Sequence, residues 1–349
     1  MSESKVKRFG CFGFLLITTL IVSGLLNFIL LLALGVSASG EMSVFDGRLP
    51  SFDERVVDLP EGAEKTKPGP PTEKIAYIQL QGLISSSRAG EVGDSMVDDL
   101  RIALRQATRD KDVKAILLAI DSPGGEVTAS DQIYHEIRTA RERKPVVVWM
   151  GSLAASGGFY AACGGSHLIA NETTFTGSIG VIISSINVES LLGKIGVSPV
   201  VFKSGEFKDL LSATRPITEE EKQLIQGLVM QTYERFLGIV AEERKLDRQV
   251  LRTRAADGRV LSGKDALAEG LIDQVGQFDD AIAKARELGK APSAPLVQYR
   301  ARLRLGSLLR VLGEAASRNG KMEVTIQPSL LNQLEPGRLY YLPAVLGGL

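Results

Sequence analysis

Residues 11–36 form a run of 26 positions without a charge (CFGFLLITTLIVSGLLNFILLLALGV), and no other feature constrains this chain as much. About 20 apolar residues suffice to cross the hydrocarbon core of a bilayer, so the run is long enough to span it with some tilt. Lys5, Lys7 and Arg8 precede it, and Glu41 and Asp46 follow. Positive charge on the amino side predicts that residues 1–10 are cytoplasmic and that everything after the anchor is extracytoplasmic. A cleaved leader is the competing reading, with Val36, Ser37 and Ala38 as a small-residue cleavage site. The run exceeds the roughly 7–15 residues of a usual leader core, which favours one uncleaved transmembrane helix over 11–36.

Residues 37–73 are expected to be a linker. Pro50, Pro60, Pro68, Pro70 and Pro71, with Gly62, Gly69 and many charges, leave little to pack. A folded body is expected over 74–290. A less regular extension, 291–349, is expected to pack on that body or on a neighbouring subunit.

Within the body, 75–80, 115–120 and 146–150 are short apolar runs of strand length. Between them, Val97, Leu100, Leu104 and Ala107 recur at helical spacing, and a helix is predicted from about 127 to 143 with Ile133, Ile137 and Ala140 on one face. Strands alternating with helices imply an α/β architecture with a largely parallel sheet. Thr218 followed by Glu221 is a capping-box pattern opening the longest helix of the body, to about residue 246. Its apolar stripe, which includes Leu224, Leu228, Phe236 and Val240, predicts packing on the body or on another subunit. A short helix closed by Gly270 is predicted within 259–273.

Several function classes are disfavoured. Lys+Arg 41 balances Asp+Glu 41, which gives no support to a nucleic-acid partner. With Cys11 in the apolar run, Cys163 is the single thiol of the body and no internal disulfide is expected. Two histidines, His135 and His167, and no Cys-x-x-Cys pair argue against a zinc site. No metal or cofactor is expected.

The segment 150–160 (MGSLAASGGFY) crowds small residues around Ser156 directly after a strand. Glycines let a substrate carbonyl approach the backbone, and free N–H groups at a helix start stabilise an oxyanion. The same segment equally fits a small-residue turn where a helix packs against a sheet. A second strand-end turn, 121–125 (DSPGG), is able to supply another donor. The G-x-S-x-G elbow is not satisfied, because Ala154 stands at its first glycine. His167 follows Ser156 too closely and leads into a strand, and His135 falls mid-helix, so a Ser-His-Asp triad is disfavoured.

Lysine is the remaining common base. Its pKa of about 10.4 must fall by roughly 3 to serve near neutral pH, which requires about 4 kcal/mol of destabilisation of the ammonium. Burial among apolar groups does this. Lys208 lies beside Phe207, Leu210 and Leu211, but Glu206 and Asp209 oppose the shift unless they point elsewhere. Spacing alone does not single Lys208 out from the other lysines.

The segments DSPGG (121–125), GSLAASGGFYAAC (151–163), TGSIGVI (176–182), SGEFKDLLS (204–212) and RVLSGKDALAEGLID (259–273), in that order after an N-terminal anchor, resemble the signal peptide peptidase SppA family in its short single-copy form. The resemblance covers about 74–290. It implies a Clp-protease/crotonase-like fold of repeated ββα units and a serine endopeptidase with a Ser-Lys dyad. It carries the nucleophile onto Ser156, the general base onto Lys208, and a lysine-orienting role onto Ser178. The oxyanion hole falls to backbone amides of Gly157 and of either Gly124 or Gly125. It further implies a homo-oligomer in which adjacent subunits supply the serine and the lysine. The implied substrates are remnant signal peptides, with small or apolar side chains at the cleavage site. The implied place is the bacterial cytoplasmic membrane, with contact to lipid through the anchor and the catalytic domain outside. Ser166 and His167 depart from the acidic-then-basic pair common in relatives. A related membrane protease acting on one protein partner shares the dyad. An inactive scaffold member or an acyl-CoA enzyme fits less well, since nucleophile, base and oxyanion elements occur together.

Overall fold

The computed structural model describes residues 22–24, 26–27, 51–58, 72–87, 93–300 and 340–341. The chain divides into two units, Met1–Pro50 with Leu303–Glu323, and Ser51–Arg302 with Val324–Leu349. Of the first unit only short helical pieces at 22–24 and 26–27 are described. The rest of the expected anchor, 11–36, lies outside the described residues. Among the described residues no helix is long and apolar enough to cross a membrane.

The second unit is mixed α/β. Its first half comprises β1 (Asp53–Asp58), β2 (Lys74–Gln81), α1 (Met96–Arg109), β3 (Val113–Ser122), β4 (Gly125–Glu126), α2 (Val127–Arg141), β5 (Val146–Ala155), α3 (Gly157–Ala162), β6 (His167–Ala170) and β7 (Phe175–Gly177). There follow α4 (Glu189–Lys194), a 3₁₀ turn (Glu206–Asp209), α5 (Glu219–Arg244), α6 (Arg248–Arg254), β8 (Val260–Ser262), α7 (Gly263–Ala268), β9 (Gln274–Val275), α8 (Phe278–Leu288), β10 (Leu296–Arg300) and β11 (Tyr340–Tyr341).

The main sheet runs β1-β10-β2-β3-β5-β6-β9, with β7 branching from β5 and β8 pairing with β7. Along that path every pair is parallel except β1 with β10. The apolar runs are nearly unbroken because both faces of the sheet are covered. Ile116, Leu118 and Ile120 of β3 pack with α1, α2, α3 and α5, through Leu104, Ile133, Phe159 and Phe236 among others. Ala115 and Leu117, on the opposite face, pack with Ala281, Ile282 and Ala285 of α8. The period of two along one strand thus feeds two separate cores.

Two features differ from what the sequence suggests. β1 falls inside the stretch expected to be linker. Its prolines, Pro50 and Pro60, flank the strand rather than interrupt it, and Asp53–Asp58 pairs along β10, which would otherwise present a free edge. β5 does not stop at Met150 but runs to Ala155, leaving β6 for β7 at Leu153. At that bend the buried hydroxyls of Thr174 and Thr176 donate to the carbonyls of Gly151 (2.6 Å) and Ala154 (2.7 Å), satisfying backbone oxygens that the parting strands leave. α5 has the expected capping box; apart from Glu221 of that box, its buried residues lie in the C-terminal half, around Phe236 and Val240. Leu224, Leu228 and Met230 stay exposed.

Candidate active site

Ser156 occupies the single residue between β5 and α3, with φ 53° and ψ −115°. Positive φ in a residue with a Cβ costs on the order of 1–3 kcal/mol and persists only where its surroundings hold it. Here two backbone bonds do so. The Ser156 N–H donates to the Gly177 carbonyl (2.8 Å) at the end of β7, and the Ser156 carbonyl accepts from Tyr160 N–H (2.8 Å) in α3. Serine at the start of a helix ordinarily caps it with its side chain. In this conformation it makes no such bond, and the fully buried Oγ has no hydrogen-bond partner. A strained, unspent hydroxyl at a strand-to-helix turn has the geometry of a nucleophile elbow, although the flanking glycine pattern is different.

Gly157 brings the DSPGG turn against it. A Cβ at Gly157 would lie 2.5 Å from Ser130 Oγ and 3.1 Å from both Gly124 Cα and the Gly125 nitrogen. The two glycine segments therefore touch backbone to backbone beside Ser156. The Gly124 N–H is already taken by Ser122 Oγ (3.1 Å), which itself donates to the Gly82 carbonyl (2.7 Å). Ile84 pairs alongside β4, its N–H donating to the Gly124 carbonyl (2.8 Å) and its carbonyl accepting from Glu126 N–H (2.9 Å). Alternation along a strand turns the Gly125 amide to the opposite side. On that side lies β11, with Tyr341 opposite Gly125 and Tyr340 opposite Glu126. Tyr340 also exchanges both backbone bonds with Ile182, at 3.1 Å each. An extended segment is thus seated between β4 and Ile182, next to the Ser156 turn.

Sequence reasoning missed the support of this edge. Glu126 is buried, and its carboxylate accepts from Ser85 Oγ (2.8 Å), Ser86 Oγ (2.5 Å) and Ser86 N–H (3.2 Å). It fastens the 84–87 segment to β4. A glutamate directly after a glycine turn, facing a distant serine run, offers no periodicity to find it by.

Ser178 is nearly buried, has φ 50°, and donates its N–H to the Arg259 carbonyl (2.8 Å). It follows Gly177, whose carbonyl holds Ser156, so the two serines share one backbone junction. Lys208 is different. It lies on the exposed 3₁₀ turn, and among the described residues its ammonium has no ion-pair or hydrogen-bond partner. Since Ser156 Oγ has none either, the two groups are not bonded within one chain. Neither histidine joins the site. His135 faces Asp131 and Arg235, and His167 faces Asp273 and Gln274. Cys163, buried at the far end of α3 from Ser156, has its thiol pushed up to about 12 by desolvation and is no nucleophile.

A model of peptidase family S49 matches residues 138–291, and a Clp protease model matches residues 79–173. Among curated proteins, a putative signal peptide peptidase SppA of Enterococcus faecium is 34% identical over 246 residues, covering 68% of this chain and 70% of its own length. A putative protease of Synechocystis is 40% identical over 209 residues, covering 60% of this chain and 72% of its own. Protease 4 of Salmonella typhi is 39% identical over 228 residues, covering 64% of this chain and 36% of its own length. Among solved structures, a ClpP1 mutant from Listeria monocytogenes aligns at 16% identity with a TM-score of 0.40, covering 59% of this chain and 94% of that one.

Proposed function

The chain belongs to peptidase family S49 and is a serine peptidase; from that premise we propose that it is a membrane-anchored endopeptidase using Ser156 as nucleophile and Lys208 of a neighbouring copy as general base. Lys208, as the free amine, takes the proton from Ser156 Oγ as the oxygen attacks the scissile carbonyl. The carbonyl electron pair moves onto oxygen, and the N–H groups of Gly157 and Gly125 stabilise the oxyanion. Collapse returns the lysine proton to the leaving amine and leaves an acyl-serine. Water, deprotonated by the same lysine, then releases the acid and restores the hydroxyl. Ser178 accepts from and orients the lysine. Gly125 suits the second donor position better than Gly124: the Gly124 amide is spent on Ser122, whereas the Gly125 amide faces β11, whose place a bound substrate strand would take.

One observation carries this reading: the Ser156 hydroxyl is buried, strained at its backbone and without a partner, beside two backbone segments that only glycine permits. A buried polar group left unpaired costs about 1–3 kcal/mol unless something meets it in the working state. The base meets it on assembly. Lys208 lies on an arm that exposes Ile186, Ile195, Val200, Phe202 and Phe207, with Phe202 at 95%. Covering such a surface by another copy would supply the apolar surroundings that a neutral lysine needs.

The substrate would lie extended, pairing with β4 and with residue 182 where β11 lies, so that main-chain bonds hold it and apolar side chains select it. Remnant signal peptides in the bacterial cytoplasmic membrane fit this chemistry, and the 11–36 anchor would bring the site to them. A mixing experiment tests the reading. Ser156→Ala and Lys208→Ala should each be inactive on short apolar peptides. Dissociated, mixed in equal amounts and reassembled, they should regain about a quarter of the wild-type activity per chain, because half the sites have a serine and half of those meet a lysine. Activity in either variant alone would refute the dyad. Two inactive variants that stay inactive after verified exchange would refute its sharing between copies.

A further inference from the structure

Resting on the reading of Lys208 as base, we infer that Arg215 is a positioning residue for that lysine: it takes up the carboxylate of Asp209, the residue next to Lys208, and ties the lysine's turn to the cap of α5. A carboxylate beside an ammonium favours the charged form and opposes the neutral amine that a base requires. Asp209 is therefore a liability at this position, unless its charge is engaged elsewhere.

It is engaged. Arg215 Nε donates to Asp209 Oδ2 (2.8 Å) and Nη2 to Oδ1 (2.7 Å), a two-pronged pair. Nη2 also reaches the Asp209 backbone carbonyl (3.3 Å), so the fork holds the turn as well as the charge. On its other side Arg215 donates to Glu221 Oε2 (2.9 Å) and Oε1 (2.5 Å). Glu221 is nearly buried and belongs to the capping box of α5, accepting from Thr218 N–H (2.9 Å). Lys203 donates to Asp209 Oδ1 (2.8 Å) and to the Glu206 carbonyl (3.0 Å). The exposed Glu206 side chain is not part of the network. Arg215 and Lys203 hold the Asp209 carboxyl well below the usual carboxylate range.

The four charges are Asp209 and Glu221 against Arg215 and Lys203, so the cluster beside Lys208 is neutral as a whole. Geometry and charge make separable predictions. Lysine at 215 keeps the charge but not the fork, which needs three nitrogens in a plane. Glutamine at 215 removes the charge and leaves the cluster at −1. Asparagine at 209 leaves it at +1, and the two together restore zero.

The test is the acid-side limb of kcat/KM against pH, the limb on which a base lysine must lose its proton, measured on the full-length chain. Arg215→Gln should move the limb to higher pH by about half to one unit, a three- to tenfold loss of activity below it, and added salt should shrink the shift. Asp209→Asn should move the limb to lower pH. Asp209→Asn with Arg215→Gln should return it close to the wild-type position, and Arg215→Lys should keep the position while lowering kcat. Loss of fold alone moves no limb in opposite directions. Unshifted limbs in Arg215→Gln and in Asp209→Asn, in a protein that Lys208→Ala inactivates, would overturn this role and leave the dyad standing. Activity in Lys208→Ala would overturn the dyad itself.

Discussion

Gly157→Ala probes the proposed oxyanion geometry most directly, because the consequence of one methyl group follows from three distances. Its Cβ would stand 2.5 Å from Ser130 Oγ and 3.1 Å from Gly124 Cα and the Gly125 nitrogen. Ordinary contact begins at 3.4 Å, so the hydroxyl must retreat by about 0.9 Å and the DSPGG backbone by about 0.3 Å. Ser130 is not free to retreat, since it is fully buried and donates to the Glu126 carbonyl (2.8 Å). The strain therefore falls partly on the turn that presents Gly125. Overpacking of this kind costs about 1–3 kcal/mol of stability. Displacing one oxyanion donor costs about 10²–10³ in kcat, with KM little changed. Ser130→Ala relieves the worst contact at the loss of one hydrogen bond, about 1 kcal/mol. The double variant should then recover about tenfold of the lost kcat while the single Ser130→Ala stays near wild type, because the residual 0.3 Å overlaps are far smaller than the roughly 1 Å misplacement that costs about 10². Steady-state hydrolysis of an apolar peptide, with melting followed by circular dichroism, reads both effects. A folded Gly157→Ala protein with wild-type kcat would remove Gly157 and its contact with the glycine turn from the mechanism.

Two other outcomes follow from the same junction. Ser156→Gly removes both the backbone strain and the unpaired hydroxyl, so it should abolish hydrolysis while raising stability by about 1–3 kcal/mol; a lower melting temperature than wild type would contradict the strain argument. Cys163, fully buried with its thiol pushed up to about 12, should resist alkylation at pH 8 in the folded protein and react only after denaturation. Rapid labelling under native conditions would show that the region behind α3 opens.

The sheet was readable from sequence where burial is two-sided. Residues 115–120 and 146–150 are short, unbroken apolar runs of strand length, the pattern of strands covered by helices on both faces. Elements whose partners lie far along the chain were not readable. β1 is a charged, largely exposed sequence that becomes a strand only because β10, some 240 residues later, offers an edge. The bend in β5 depends on Thr174 and Thr176, which look like any pair of loop threonines until the carbonyls they satisfy are known.

The site divides along the same line. Small residues must surround a nucleophile that a carbonyl has to reach, and such crowding is visible at 151–158 without a structure. A base lysine has no comparable mark. Its pKa is set by what covers it and by what its acidic neighbours are doing, and both are properties of contacts rather than of spacing. Asp209 illustrates the point: the sequence places a negative charge beside Lys208 and thereby argues against it, while the fold spends that charge on Arg215 six residues away. Ser156 is fixed by the rigid junction of β5, β7 and α3, whereas Lys208 is carried on an arm whose apolar side chains face outward in the single chain. On the proposed mechanism this separation has a consequence for control. A lone chain holds its nucleophile strained and idle, and hydrolysis begins only when another copy brings the amine into a covered pocket. Activity per chain should therefore rise with protein concentration before it levels off, and a specific activity that stays constant down to full dissociation would contradict a dyad divided between copies.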